Sequence, residues 1–131
     1  YKRQELLDNL RNNLPILINL MNNQNLNDYI KMVVKFSFEA NKYFNDSEPW
    51  AVKKTDIDKM NIILHTVTEQ IKNISILLFP IIPNATTKVL KTLNIDQSEI
   101  KIENITSSKI FNYNKELGNL EILFTKFDYD N

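Results

Sequence analysis

The sequence contains no cysteine, and other residues that mark common protein classes are scarce. Without cysteine, neither a disulfide framework nor a thiolate metal site can form. The single glycine excludes the glycine-rich loops that bind nucleotide phosphates. One glycine and four prolines are also too few turn residues for a chain of many short strands. We therefore expect an all-α protein, in which helices are joined by short connections.

The sequence also has no excess of charge of either sign, because sixteen basic residues balance sixteen acidic ones. A nucleic-acid-binding domain usually has a basic excess, so any RNA contact must depend on local placement of charge. No apolar run reaches the roughly eighteen residues of a membrane span, and the first ten residues lack the apolar core of a signal peptide. The 131 residues suit one domain. We expect a cytoplasmic protein that binds neither DNA nor a membrane.

Apolar periodicity predicts two helices in the first third of the chain. Leucines and Met21 recur at spacings of three and four from Glu5 to Met21, and Pro15 should break this helix near Leu14. A polar loop over 22–25 should follow. The second helix is predicted over 26–44, before a stop at Asn45-Asp46-Ser47. Its predicted inward residues are Leu26, Ile30, Val33, Ser37, Ala40 and Phe44.

The third and fourth helices are predicted over 55–79 and 84–93. Thr55 and Asp58 resemble a capping box at the start of the third helix. Its predicted inward residues follow a near-heptad pattern: Met60, Leu64, Val67, Ile71, Ile74 and Leu78. The fourth helix should begin after Pro83, direct Val89, Leu90 and Leu93 inward, and end at a left-handed Asn94.

The rest of the chain is less regular. Residues 96–131 include the only glycine, Gly118, and an apolar run over 120–127. We predict that they wrap over a helix bundle formed by residues 1–95, so that the whole chain is one domain.

Residue patterns for catalysis are absent from the sequence. The only histidine, His65, lies within the third predicted helix, and Glu69 is the one acidic residue at a spacing suited to a shared metal. A half-buried structural histidine is the favoured interpretation. We predict no catalytic residue, no metal site and no cofactor in this chain.

The segment around the sole tryptophan has a different character. Trp50 follows Pro49 just beyond a predicted helix end, and Lys42, Lys53 and Lys54 are near it in sequence. A ring held in a turn could stack on a nucleic-acid base while the lysines contact phosphates. The alternative is that Trp50 fills the top of the bundle core. Both interpretations stay open at this point.

Three segments carry a resemblance to bacterial methionyl-tRNA synthetases. ANKYFNDSEPW over 40–50 resembles the family's "ANKY…EPW" segment, and ILLFPIIPNATTKVLKTLNI over 76–95 is similar to its "LL-P-hydrophobic-hydrophobic-P" stretch and the helix that follows. GNLEILFTKFD over 118–128 is similar to the family's closing segment, with Thr125, Phe127 and Asp128 in place of Pro, Ile and Glu. The resemblance covers about residues 26–128.

This resemblance implies a helix bundle that reads the CAU anticodon of methionine and initiator tRNAs. It implies that Trp50 stacks on the first anticodon base, a cytosine, that Pro49 lines the same site, and that Asn41 lies near this surface or has a capping role. Methionine–tRNA ligation would belong to a separate catalytic domain of the class I Rossmann type, which binds ATP and often carries a zinc-binding insertion. No signature of that domain occurs in this chain.

Two alternatives remain at the level of the sequence. One is the equivalent helical domain of another class I synthetase, such as the isoleucyl, valyl, leucyl or cysteinyl enzyme, although the EPW turn favours the methionine enzyme. The other is a helical protein-interaction module without an RNA role, with which zero net charge is compatible.

Overall fold

A computed structural model describes residues 2–95, 100–101 and 105. This part of the chain is built from helices and contains no strand, which confirms the prediction of an all-α bundle. The six helices are α1 (Lys2–Asn12), α2 (Leu14–Asn22), α3 (Leu26–Ser47), α4 (Pro49–Val52), α5 (Ile57–Leu78) and α6 (Pro83–Thr92). None of them combines the length and hydropathy that a membrane crossing requires.

The predicted break near Leu14 is confirmed. Asn13 separates α1 from α2, and Pro15 occupies the first turn of α2, where its missing N–H would have no partner in any case. The side chain of Asn13 donates a hydrogen bond of 2.7 Å to the carbonyl of Asn9, which satisfies one of the last acceptors of α1. The break between α1 and α2 therefore leaves fewer unsatisfied backbone groups at the end of α1.

The helix α3 is longer than predicted. The cluster Asn45-Asp46-Ser47, predicted as its stop, is helical, and α3 ends where Glu48 adopts a left-handed conformation with φ of 46°. The amide of Glu48 still donates to the carbonyl of Phe44 at 3.2 Å. Pro49 then prevents continuation, since it has no N–H to donate. The proline, rather than the polar cluster, sets the end of the helix.

The predicted inward face of α3 is partly wrong. Val33 and Ala40 are buried as expected, but Leu26 is exposed and Ser37 is only half-buried. Tyr29 and Phe36, absent from the predicted face, are buried. The reason is that α3 packs against α1 and α2 as well as against α5, so its buried face is rotated relative to the most apolar line in its sequence.

The central helix is α5, which contacts α1, α3, α4 and α6. Its N-cap is Asp56, whose side chain accepts a hydrogen bond of 3.0 Å from the amide of Lys59, so the predicted Thr55–Asp58 capping box is wrong by one residue. The predicted near-heptad face is also largely wrong. The buried residues of α5 are Ile63, Thr66, Glu69, Gln70, Lys72, Asn73, Ile74, Ser75, Ile76 and Leu77.

Polar side chains explain that error. Every residue of α5 from Lys72 to Leu77 is buried, so the C-terminal end of this helix is covered around its circumference whatever the residues there are. The apolar stretch that begins at Ile74 is buried as far as Leu77, whereas Leu78 is half-buried at the edge of the core and Pro80 is exposed.

The helix α6 begins at Pro83 and ends as predicted. Asn94 has φ of 60°, and its amide donates to the carbonyl of Lys91 at 2.9 Å. The amide of Ile95 donates to the carbonyl of Leu90 at 2.9 Å, which completes a Schellman motif. Leu90 and Ile95 are both buried in the core, while Val89 is only half-buried.

The core lies where α2, α3, α5 and α6 meet. Ile105, which lies beyond α6 in the sequence, is fully buried in it, and the side chain of Arg11 donates to its carbonyl at 2.9 Å. The remainder of the predicted wrapping segment, including Gly118 and the apolar run over 120–127, lies outside the described residues. The buried apolar residues of the core are Leu10, Leu14, Leu17, Tyr29, Val33, Phe36, Ile74, Ile76, Leu77, Leu90, Ile95 and Ile105.

Candidate nucleic-acid interface

Trp50 lies in the short helix α4 with 54% of its surface exposed. Its ring packs against the ring of Phe44 on α3 in a T-shaped arrangement, with ring centroids 5.8 Å apart and planes inclined at 61°. Such an edge contact contributes about 0.5–1.5 kcal/mol beyond burial. The tryptophan is therefore held from one side while much of its surface faces solvent, which does not fit a side chain that fills the core.

The turn before Trp50 fixes its position. Glu48 is left-handed, Pro49 is buried, and the carbonyl of Glu48 accepts hydrogen bonds from the amides of Ala51 at 2.9 Å and Val52 at 3.0 Å. The fixed φ of the buried proline and these two hydrogen bonds hold the backbone at the start of α4 in one conformation. A flat aromatic surface presented in this manner suits stacking on a planar group.

Two of the predicted lysines adjoin this surface in sequence. Lys53 and Lys54 are exposed directly after α4, where the amide of Lys53 donates to the carbonyl of Pro49 at 3.0 Å. Asp56 and Lys59 follow within a few residues, and both are exposed. The neighbourhood of Trp50 thus has a mixed charge, since the exposed residues Lys53, Lys54 and Lys59 are balanced by the exposed residues Glu48, Asp56 and Asp58.

The remaining predicted residues lie on α3. Asn41 is exposed one turn before Phe44, the residue that Trp50 contacts. Lys42 is one position further on, hence about 100° around the helix. It lines a groove of about 500 Å³ between α1 and α3, together with Glu5, Leu6, Asn9, Glu39, Tyr43, Asp46 and Ser47. The structure therefore separates Lys42 from the side of α3 that meets Trp50.

Among the described residues, the histidine belongs to no group that could hold a metal. Glu69, the predicted companion of His65, is buried and forms an ion pair with Arg11 of α1 at 2.9 Å. His65 is half-buried. No group of three residues suited to hold a metal occurs in the described part of the chain.

The sequence interpretation missed a charged group inside the bundle. Lys72 is fully buried one turn after Glu69. Burial lowers the pKa of the Lys72 ammonium to about 8; the Glu69 carboxylate opposes this shift, and the charge of Arg11 adds to it. Opposite charges three residues apart on one helix were the available signal, but the sequence could not show that both are buried.

The sequence interpretation also missed Phe44 as the support of Trp50, because it assigned this residue to the core. The relevant signal was an aromatic residue in the last turn of a helix, separated from the tryptophan only by a short polar turn and a proline.

Comparison with known proteins agrees with these features. The family model described as the anticodon binding domain of methionyl tRNA ligase matches residues 1–131. A methionine–tRNA ligase of Rickettsia felis is 30% identical over 111 residues, which cover 85% of this chain and 22% of that protein. One from Ureaplasma parvum is 29% identical over 116 residues, 87% of the chain and 22% of the relative. One from Streptococcus pneumoniae is 27% identical over 128 residues, 98% of the chain and 22% of the relative.

The chain thus spans about a fifth of the length of the relatives that it matches. The match extends over every described helix, and it distinguishes the methionine enzyme from the other class I synthetases considered above. The chain belongs to the family of anticodon-binding domains of methionyl-tRNA ligases.

Proposed function

We propose that this chain reads the CAU anticodon of methionine and initiator tRNAs, and that Trp50 stacks on the first base of that anticodon. The observation that carries the proposal is the half-exposed indole, which packs against the ring of Phe44 and follows a buried proline. Because the ring is already oriented, little conformational entropy is lost when a base docks on it.

Neighbouring residues take the other roles in this proposal. The exposed ammonium groups of Lys53 and Lys54 contact phosphates beside the stacked base. Asn41 borders the site from α3. Pro49, being buried, stabilises the turn beneath the base and offers only its edge to the site. Lys42 contacts a phosphate only if the RNA also reaches the groove between α1 and α3.

The whole protein is proposed to be a methionine–tRNA ligase, because the relatives that the chain matches carry this name. We also propose that it is cytoplasmic. Its catalytic domain would use ATP to attach methionine to tRNA and could carry zinc. The present residues 1–131 would form one domain, in which 96–131 wrap over the bundle. Adenylate formation is not assigned to these residues, so the chain alone is expected to show no ATP–pyrophosphate exchange.

The decisive experiment uses the full-length enzyme with Trp50→Ala. We expect tRNA affinity to fall about 5- to 150-fold, the equivalent of roughly 1–3 kcal/mol of base stacking. Methionine activation should be unchanged, because it takes place in another domain. Trp50→Phe should recover part of the loss, since a phenyl ring also stacks. Phe38→Ala, at an aromatic residue that is 69% exposed elsewhere on α3, is the matched control and should leave tRNA binding unaltered.

Two results would contradict the proposal. If Trp50→Ala lowers the unfolding midpoint while tRNA binding stays normal, the tryptophan is structural. If the full-length enzyme binds a tRNA transcript with an altered first anticodon base as tightly as the unaltered transcript, the stacking site is elsewhere. Salt dependence gives a further check, because Lys53→Ala and Lys54→Ala should each reduce the slope of affinity against salt concentration.

A further inference from the structure

Two side-chain amides inside the bundle have no hydrogen-bond partner among the described residues. Gln70 and Asn73 on α5 are both 0% exposed, and the nitrogen and the oxygen of each amide are unpaired. The two residues are three positions apart, so their side chains are neighbours on one face of the helix. We call them the α5 amide pair. The large majority of buried polar atoms in proteins have a partner, so four unpaired atoms at one place need an explanation.

Other polar groups on the inward side of α5 are paired. Before the α5 amide pair, the hydroxyl of Thr66 accepts a hydrogen bond of 2.9 Å from Nε of Arg3 and donates one of 2.7 Å to the carbonyl of Ile62. After the pair, the carbonyl of Leu77 accepts a hydrogen bond from the hydroxyl of Tyr29. The unpaired amides therefore lie between two polar groups that are satisfied by the protein itself.

The helices that pack against α5 offer few groups that could pair with these amides. Tyr29 and Thr86 have the only polar side chains among the buried residues of α1, α3, α4 and α6, and both hydroxyls already donate to main-chain carbonyls. Main-chain groups within a helix are used by the helix itself. The other buried residues of these four helices are apolar: Leu6, Leu7, Leu10, Val33, Phe36, Ala40, Pro49, Ala85 and Leu90.

Water is the ligand whose chemistry matches the α5 amide pair. Each amide has a nitrogen that donates and an oxygen that accepts, and a water molecule can both donate and accept. A cation would bind only the two oxygens, and an anion would bind only the two nitrogens. Buried water is an ordinary component of globular proteins, at about one molecule for every 27 residues, and it typically makes about three hydrogen bonds.

We infer that a water molecule is bound inside the bundle between the side-chain amides of Gln70 and Asn73 and bridges them. A direct hydrogen bond between the two amides is the competing arrangement. One such bond joins one nitrogen to one oxygen, and it leaves the other nitrogen and the other oxygen of the pair without partners. The inference involves no RNA, and it is independent of the proposed anticodon site on α4.

A crystal structure of the full-length protein, at a resolution that shows ordered water, tests the inference directly. We expect a water peak within about 2.7–3.2 Å of at least one amide atom of Gln70 and at least one amide atom of Asn73. This measurement uses the unchanged protein, so its result does not depend on whether a variant folds. Amides that are bonded to each other or to other protein atoms, without such a peak, would overturn the inference.

A pair of substitutions tests the bridge in solution. Gln70→Leu or Asn73→Leu removes one side of the bridge and leaves the other amide with an incompletely bonded water. We expect each single change to speed hydrogen exchange of α5 peptides in the full-length protein by about 5- to 100-fold, measured by mass spectrometry. The double variant should exchange more slowly than either single variant, because no polar group of the pair remains.

Asn27→Leu on α3 is the matched control, because it makes the same exchange of Asn for Leu at an exposed position of a helix. Its effect on the exchange of α5 should be within about twofold. If the two single effects multiply in the double variant, the amides do not share a ligand. If either single change slows exchange, its amide was unpaired in the unchanged protein. Each of these two results would contradict a bridging water.

Discussion

The hydroxyl of Tyr29 on α3 donates a hydrogen bond to the main-chain carbonyl of Leu77 in the last turn of α5. Leu77 has one of the final carbonyls of its helix, which lack a partner within the helix because the chain turns at Phe79-Pro80. The amides of Ile81 and Ile82 both donate to Leu78 instead. A buried tyrosine therefore satisfies a helix end 48 residues away in sequence.

Tyr29→Phe should lower the free energy of unfolding by about 1–3 kcal/mol, because it leaves the buried Leu77 carbonyl without its donor. Denaturant unfolding monitored by circular dichroism measures the change. Tyr43→Phe on the same helix is the control, and it should cost less than about 0.5 kcal/mol because Tyr43 is only half-buried and lies at a groove. Equal effects of the two changes would show that the hydrogen bond is not what Tyr29 contributes.

Leucine truncations should follow burial in the structure rather than the near-heptad pattern. Leu77→Ala, at a residue that is 2% exposed, should lower the free energy of unfolding by about 2–5 kcal/mol. Leu78→Ala should cost less, since Leu78 only borders the core. Leu26→Ala, at a residue that is 45% exposed, is the matched control and should cost under about 1 kcal/mol. A larger loss at Leu78 than at Leu77 would mean that the inward face of α5 is misassigned.

Arg11→Met should be strongly destabilising, by about 3 kcal/mol, because it removes the partner of a buried carboxylate. The side chain of Glu69 is 3% exposed and pairs with Arg11 at 2.9 Å. The carbonyl of Ile105 also loses a donor. In the double variant Arg11→Met, Glu69→Gln the buried carboxylate that has lost its Arg11 partner is also removed, so part of the loss should be recovered. If the double variant is as unstable as the sum of the two single changes, the ion pair is not coupled.

Stability should rise as the pH increases through the range in which Lys72 loses its proton. The pKa of Lys72 is lowered by burial from its ordinary value of 10.5 to about 8 in the folded protein. Above pH 8 the unfolded chain binds more protons than the folded one, so increasing pH favours the folded state. The gain attributable to Lys72 between pH 8 and 10 should be about 2 kcal/mol.

Lys72→Met provides the comparison for this pH dependence. Urea unfolding of both proteins at pH 7, 8, 9 and 10 should show that the stability of the unchanged protein relative to Lys72→Met rises with pH, by about 2 kcal/mol between pH 8 and 10. Tyr29 sets the upper limit of the informative pH range. Burial raises the pKa of its hydroxyl, so at high pH it ionises more readily in the unfolded chain, and this ionisation favours the unfolded state. A constant difference between the two proteins would contradict a shifted Lys72.

The sequence by itself determined the features that depend on local backbone chemistry. Pro15 has no N–H and breaks the first helix, Pro83 starts α6, and Asn94 tolerates the left-handed conformation that ends it. The run beginning at Ile74 is apolar enough to be buried in any bundle. The placement of Trp50 in a turn after a helix end also follows from the proline before it, although its exposure does not.

Only the tertiary structure decided which side of α5 faces inward and which charges are buried. A helix with four neighbours has little surface left for solvent, so polar residues such as Gln70 and Lys72 are buried while Leu64 and Ile71 are partly exposed. The pairing of Arg11 with Glu69, the support of Trp50 by Phe44 and the separation of Lys42 from that site arise from how the helices pack against each other. Periodicity describes each helix alone, and therefore it cannot specify contacts that depend on the positions of the others.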